Sequence, residues 1–301
     1  MSDRASLSAR SIPFMNLSDG TSASATAPPP PLLSRDPRER ALERFAVKGT
    51  TVITGGAGTL ALSAARAVLE HGAVKLALLD LLSTLETCGD AAIRRLQTDF
   101  PSADIKSIPV DVTDVEGVNH AFSTIVKHFE TIDNLLCFAG IVGCVHALEM
   151  TPAQWRRTLD VNTTGSFLCA QAAAKHMVNQ TPPGGSIVFT ASISGHRVNF
   201  PQPQVAYNVS KAAIIALKSS LAAEWAVHGI RVNSLSPGYM DTILNEGEGL
   251  EEARGVWARH NPMGRMGAVG ELDGVVVLLC SRAGSYITGA DYLVDGGSTV
   301  F

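Results

Sequence analysis

The chain has 301 residues, of which 46% are apolar and 17% charged, and its formal net charge is −4. That length can bury a sizeable core, and the weak charge balance, with no block of like charges, excludes a nucleic-acid or anionic-membrane surface. No apolar run approaches the ~18 residues of a membrane span, and the amino terminus lacks the apolar core of a secretory signal. Five cysteines (Cys88, Cys137, Cys144, Cys169, Cys280) are scattered without a Cys-x-x-Cys pair. They are expected as reduced thiols of a cytoplasmic protein, with neither a disulfide framework nor a metal site.

Residues 1–40 are rich in Ser, Ala and Pro, with prolines at every position from Pro28 to Pro31. Such a segment buries too little apolar surface to offset its ordering entropy, so a disordered or loosely docked arm is expected, as a plain tail, a targeting peptide or a partner-binding arm. Residues 41–301 are expected to form one domain. TTVITGG from Thr50 predicts a buried strand entering a tight turn. LALSAARAVLEHG follows as a helix ending at Gly72, and KLALLD is a second strand closing at Asp80. A strand, a Gly-rich turn, a helix and a strand ending in an acid form the unit that cradles a dinucleotide. Backbone N–H groups and the helix N-terminus hold the pyrophosphate, and the acid takes ribose hydroxyls.

The alternation continues. Residues 84–99 and 115–130 predict helices flanking a strand that ends near Asp111, and NLLCFAG predicts a strand stopped by Gly140. Thr151, Pro152 and Gln154 predict a capping box opening one long helix to about Asn179. GGSIVFTAS is a fifth strand delivering Ser192, and residues 206–228 form the next helix. RVNSLSPG is a sixth strand, residues 239–265 are expected as a mobile substrate lid, LDGVVVLLCS is a helix and DYLVDGG a last strand. The expected fold class is α/β, a doubly wound parallel sheet of Rossmann type, with ligands beyond the carboxyl ends of the strands.

Tyr207 and Lys211 stand four positions apart, on one face of a helix. A phenol beside an ammonium is a proton-transfer device, with the cation expected to pull the phenol below its usual pKa of about 10. Ser192 can offer a hydroxyl to the same reacting oxygen, with Ser194 as the competing serine. His146 and His196 fall in loops near the predicted cleft.

With TGGAG at 54–58, Asp80, Asp111–Val112, Ala139–Gly140, Asn162 in VNTTG, Ser192, the Tyr207/Lys211 pair, RVNSLSPG at 231–238 and YITGADYLVDGG at 286–297, the chain resembles the short-chain dehydrogenase/reductase family from about Phe45 to Gly297. The resemblance implies an NAD(P)-dependent oxidoreductase acting on a secondary alcohol or ketone. In it Tyr207 is the general acid/base, Lys211 binds the nicotinamide ribose, Ser192 hydrogen-bonds the substrate oxygen, and Asn162 organises a proton-relay water. It further implies cofactor contacts at Gly55, Gly58, Thr59, Leu60, Asp80, Asp111, Val112, Ala139, Gly140, Pro237, Gly238, Met240 and Thr242. A homotetramer or homodimer with a small-molecule substrate is implied as well.

The chain departs from the family pattern at Thr59 and Ala61, where glycine is usual, and at Cys137-Phe138, where two asparagines are usual. The Ser-to-Tyr spacing is also longer than in many members. The longer loop, HRVNFPQPQ, is similar to that of fungal polyol and ketose reductases. Asp80, followed by the uncharged Leu81, would accept from a ribose 2′-hydroxyl and repel a 2′-phosphate. NAD is therefore the expected cofactor, with NADP the alternative. Two rival readings remain open: a cofactor-binding sensor or scaffold without redox turnover, and non-redox chemistry on the same fold.

Overall fold

The computed structural model describes residues 12–301 apart from Ile243, Leu244 and Glu246, so part of the arm and part of the expected lid lie outside the described residues. Seven parallel strands form one sheet: β1 (Thr50–Thr54), β2 (Lys75–Asp80), β3 (Asp104–Pro109), β4 (Asn134–Cys137), β5 (Gly185–Thr190), β6 (Ile230–Pro237) and β7 (Asp291–Val294). Their order is β3-β2-β1-β4-β5-β6-β7. The chain winds outward from β1 to β3, returns to place β4 on the other side of β1, and then winds outward again. The carboxyl ends of β1 and β4 therefore frame the switch point where such sheets bind ligands.

Neighbouring residues of the central strands enter opposite cores. Val52, Leu135 and Ile187 join one apolar cluster with Phe122, Ile125 and Met177. Ile53, Leu136 and Val188 join the other with Leu76, Leu78 and Val276. Because successive side chains of a strand point to opposite faces, a strand apolar at every position must be covered on both. Each fully buried Leu, Ile or Phe contributes roughly 1.5–3 kcal/mol, so these central strands are the most costly part of the fold to disturb.

Among the described residues the helices are α1 (Pro37–Phe45), α2 (Thr59–Glu70), α3 (Asp90–Asp99), α4 (Val115–Phe129), α5 (Pro152–Leu159), α6 (Ser166–Asn179), α7 (Val205–Trp225), α8 (Glu251–Arg259) and α9 (Asp273–Cys280), with a single α-helical turn at Leu82–Thr84 and short 3₁₀ and π turns between them. None is long and apolar enough to cross a membrane. The capping box at Thr151 and Gln154 is formed. The single helix predicted from there to Asn179 is instead interrupted by a π turn, Asp160–Gly165, between α5 and α6. A Cβ on Gly165 would stand 2.7 Å from the Val112 side chain, so this turn packs closely on the loop after β3.

From Ile12 to Asp36 the arm contains no helix or strand, yet it lies against the body. Arg282 donates to the carbonyls of Pro29 and Pro30. The Ala25 carbonyl approaches Gly229 so closely that an added Cβ would stand 2.8 Å from it. The helix α1 then begins inside the predicted arm, where Asp36 accepts from the Arg38 N–H and Pro37 takes a first-turn position.

Candidate active site

The site is built where the carboxyl ends of the strands meet. Gly55 has φ +65°, and a Cβ there would stand 2.7 Å from the Ala139 nitrogen. Only glycine lets the loops after β1 and β4 approach this closely while holding a left-handed backbone. The helix α2 begins after Gly58 with no side chain capping its first N–H groups. Thr59 is exposed at its first position and Ala61 is buried, both without interrupting the helix. An uncapped helix start behind a Gly turn suits the pyrophosphate of a dinucleotide, so the residues fit the expected group.

Other expected cofactor contacts border the same edge. Gly140 faces the catalytic cluster: a Cβ there would stand 3.3 Å from Asn162 Oδ1 and 3.7 Å from Lys211 Nζ. Asp111 accepts from both the N–H and the hydroxyl of Thr113, which holds its carboxyl below the usual range and makes it the anchor of its own turn. Val112 and Met240 are buried, as is Thr242, whose N–H donates to the Met240 carbonyl. Pro237 ends β6, and Gly238 donates to Val294 on β7. Leu60 is partly buried beside the second core.

Four predicted catalytic side chains converge on this edge. Ser192 is buried at the end of β5; its hydroxyl accepts from the Ser194 N–H at 3.1 Å and donates to the Ser194 hydroxyl at 3.0 Å. The two serines thus form one hydroxyl pair. Gly195 closes the turn, and a Cβ on it would stand 2.8 Å from the Lys211 carbonyl carbon. That contact seats the serine turn directly on the part of α7 carrying Tyr207 and Lys211. Asn162 is fully buried in the π turn. Its Oδ1 accepts from the Ile141 N–H at 2.8 Å, and its Nδ2 donates to the Ile141 carbonyl at 2.9 Å and to Ser210 at 3.0 Å. π turns inside helices recur at functional sites because they redirect one residue out of register.

The electrostatics differ from the expectation. Desolvation pushes the Tyr207 phenol up to about 12, against a smaller downward pull from the Ser192 hydroxyl. Burial takes the Lys211 ammonium down to about 8. Lys211 Nζ donates to the Thr190 carbonyl at 2.6 Å and lies 5.6 Å from the Tyr207 ring centroid. The phenol therefore stands above its usual value, raised by desolvation, and the expected lowering of the Tyr207 pKa is corrected.

The histidines do not join the cluster. His146 is exposed, and His196 Nε2 pairs with Asp291 Oδ2 at 2.7 Å. The substituted pair after β4 is accommodated in the fold: Cys137 is 2% exposed and Phe138 packs against the second apolar cluster. Among the described residues no group of three or more His, Cys, Asp or Glu side chains could hold a metal ion.

Sequence reasoning left Tyr239, Gln202 and Asn199 without a role. Tyr239 stacks on Trp257 of α8 with ring centroids 4.3 Å apart, and its hydroxyl accepts from Asn199 at 2.8 Å and Gln202 at 2.9 Å. Gln202 in turn accepts from the Trp257 Nε1–H at 3.1 Å. The HRVNFPQPQ loop is therefore tied to the helix of the expected lid. The signal available was the position of Tyr239, directly after Pro237-Gly238.

The family model described as enoyl-(acyl carrier protein) reductase matches residues 55–299. An NADP-dependent mannitol dehydrogenase of Hypocrea jecorina is 37% identical over 265 residues, covering 86% of this chain and 96% of that protein. A D-arabinitol 2-dehydrogenase (ribulose-forming) of Candida albicans is 38% identical, covering 84% and 94%. The crystal structure of a short-chain type dehydrogenase/reductase from Mycobacterium marinum superposes with a TM-score of 0.78 at 37% identity, covering 86% and 98%. The chain belongs to the short-chain dehydrogenase/reductase family. Within that family it is an NAD(P)-dependent oxidoreductase acting on CH–OH groups.

One expectation is overturned here. NAD was the preferred cofactor on the strength of Asp80, but the mannitol dehydrogenases of Hypocrea jecorina and Alternaria alternata, 37% and 36% identical, are both named NADP-dependent. Asp80 also has a structural part. Asp80 Oδ2 already accepts from the Ala57 N–H at 3.1 Å and Oδ1 from the Leu81 N–H at 2.8 Å, so the acid braces the phosphate turn.

Proposed function

We propose that the chain interconverts a polyol and its ketose, with NADP(H) as the redox partner. The observation that carries this reading is that Asn162 and Lys211 meet at Gly140 while Ser192 and Lys211 flank Tyr207, beside a Gly turn that fits a dinucleotide. The substrate class is supported by the extended loop after Ser192 and by relatives named mannitol and D-arabinitol dehydrogenases. When bound, the nicotinamide supplies or accepts the hydride. Tyr207 holds the proton exchanged with the substrate oxygen, and the Ser192 hydroxyl turns from Ser194 to donate to that oxygen as negative charge develops. Lys211 meets the ribose hydroxyls. Asn162 fixes the backbone of Ile141 and the Ser210 hydroxyl beneath the cluster. Gly55, Gly58, Thr59 and Leu60 line the pyrophosphate, Asp111 and Val112 the adenine, and Pro237, Gly238, Met240 and Thr242 the nicotinamide.

The reading extends to a cytoplasmic homotetramer or homodimer, as the expected reduced thiols and the family suggest. The test is a cofactor-linked absorbance screen of polyols, ketoses and bulky cyclic ketones, run with both NAD(H) and NADP(H). NADP(H)-dependent turnover of a polyol–ketose pair is the expected result. Tight nucleotide binding with no hydride transfer to any carbonyl would instead favour the sensor or scaffold.

A further inference from the structure

Beside the catalytic edge lies a pocket of about 150 Å³, lined by Arg197, Val198, Phe200, Tyr239, Trp257 and His260. Two of these side chains can carry positive charge and none is acidic. Among the described residues no carboxylate pairs with the Arg197 guanidinium. His260 is oriented by its Nδ1, which donates to the Val256 carbonyl at 2.9 Å. That bond takes up Nδ1, and among the described residues Nε2 has no protein partner. The same lining includes the stacked rings of Tyr239 and Trp257, and Phe200 lies 5.9 Å from His260.

Arg197 gives this wall a fork of donors, and no lining side chain is a carboxylate or an amide. A neutral polyol hydroxyl binds best where a carboxylate or amide oxygen can accept its proton, and no lining side chain provides one. The Tyr239 hydroxyl already accepts from two amides. A guanidinium without a carboxylate partner instead matches an anion, which it can meet with two parallel charge-assisted hydrogen bonds. The pocket also adjoins the chemistry: Arg197 lies five positions after Ser192, and Tyr239 is close enough to influence the Tyr207 phenol.

We propose that Arg197, with His260, forms a subsite for a terminal anionic group, so that the substrate is a polyol or ketose chain bearing a carboxylate or phosphate at the end remote from the reacting carbon. This rests on the polyol–ketose reading above and specifies its substrate. Arg197 would be the specificity-determining residue.

The experiment compares D-fructose, 5-keto-D-gluconate and D-fructose 6-phosphate as substrates of the wild-type enzyme, Arg197→Gln and Arg197→Lys. Loss of a charge-assisted contact is expected to raise KM for an anionic ketose by about tenfold or more in Arg197→Gln, with kcat nearly unchanged. D-Fructose should be unaffected, and Arg197→Lys should recover part of the loss. The carboxylate and phosphate arms show which anion is taken. The proposal is overturned if Arg197→Gln alters all three ketoses alike or none, or if a neutral cyclic ketone is preferred regardless of Arg197. Should no ketone be reduced, the activity reading fails on its own and binding still decides the subsite. D-Gluconate and D-fructose 6-phosphate would then be titrated against tryptophan fluorescence. A saturable change that weakens about tenfold in Arg197→Gln and is absent in Trp257→Phe supports the subsite, and no saturable change refutes it.

Discussion

Lys211 is a cation held where a cation is costly, and its burial has a consequence that can be measured without substrate. Its ammonium falls from 10.5 in the open chain to about 8 in the folded protein, a difference of about 3 kcal/mol in the preference for the neutral form. Between those values the unfolded chain binds more protons than the native state, so stability rises with pH from about 8 to 10.5. The Tyr207 phenol, raised from 10.0 to about 12, acts in the opposite sense: its contribution is present below 10 and lost as pH climbs toward 12. Lys211→Met is therefore expected to flatten the alkaline rise in unfolding free energy, as measured by denaturant titration across that range. A rise of the same size in the variant would assign it to another group. The spacing of Tyr207 and Lys211 was legible in the sequence. The direction of their shifts was not, because desolvation depends on chain segments far away along the sequence.

At the scale of elements, the serine turn and α7 act as one unit, joined at Gly195. Any side chain at that position must displace the Lys211 backbone, since a Cβ would stand 2.8 Å from its carbonyl carbon. Gly195→Ala is expected to cost about 1–3 kcal/mol by overpacking and to lower kcat more than it raises KM. Thermal melts and steady-state kinetics together check this; an unchanged Tm with unchanged kcat would contradict the packing argument. The capping box at Thr151 and Gln154 was readable because its signal is local. The π turn at Asp160–Gly165 was not, since one extra residue in a helical repeat leaves the apolar periodicity nearly intact. Yet that turn is what aims Asn162 at Ile141 and Ser210.

Across the whole molecule, the parallel sheet followed from strand–helix alternation, and the switch point followed from the strand order. From Ile12 to Asp36 the arm has no helix or strand, and its docking was not legible, because it uses single contacts such as Arg282 with the Pro29 and Pro30 carbonyls. Those contacts lie near Gly229 and Gly185, at the amino ends of the strands and opposite the catalytic edge. Deleting residues 1–33 is expected to lower Tm by a few degrees while leaving kcat and KM unchanged; a large loss of activity would show that the arm reaches the site. Cofactor choice was misjudged because it rested on the charge of Asp80 alone, and the sequence did not show that this carboxylate also accepts from the Ala57 and Leu81 amides.

The central claim, a redox site whose proton passes through Tyr207, is tested most directly by Tyr207→Phe. The substitution removes one oxygen and leaves the ring beside Lys211 in place. The account expects kcat to fall by about 10²–10⁴-fold with NADPH affinity, read by fluorescence titration, close to that of the wild type. A variant that turns over its polyol or ketose at the wild-type rate would contradict it.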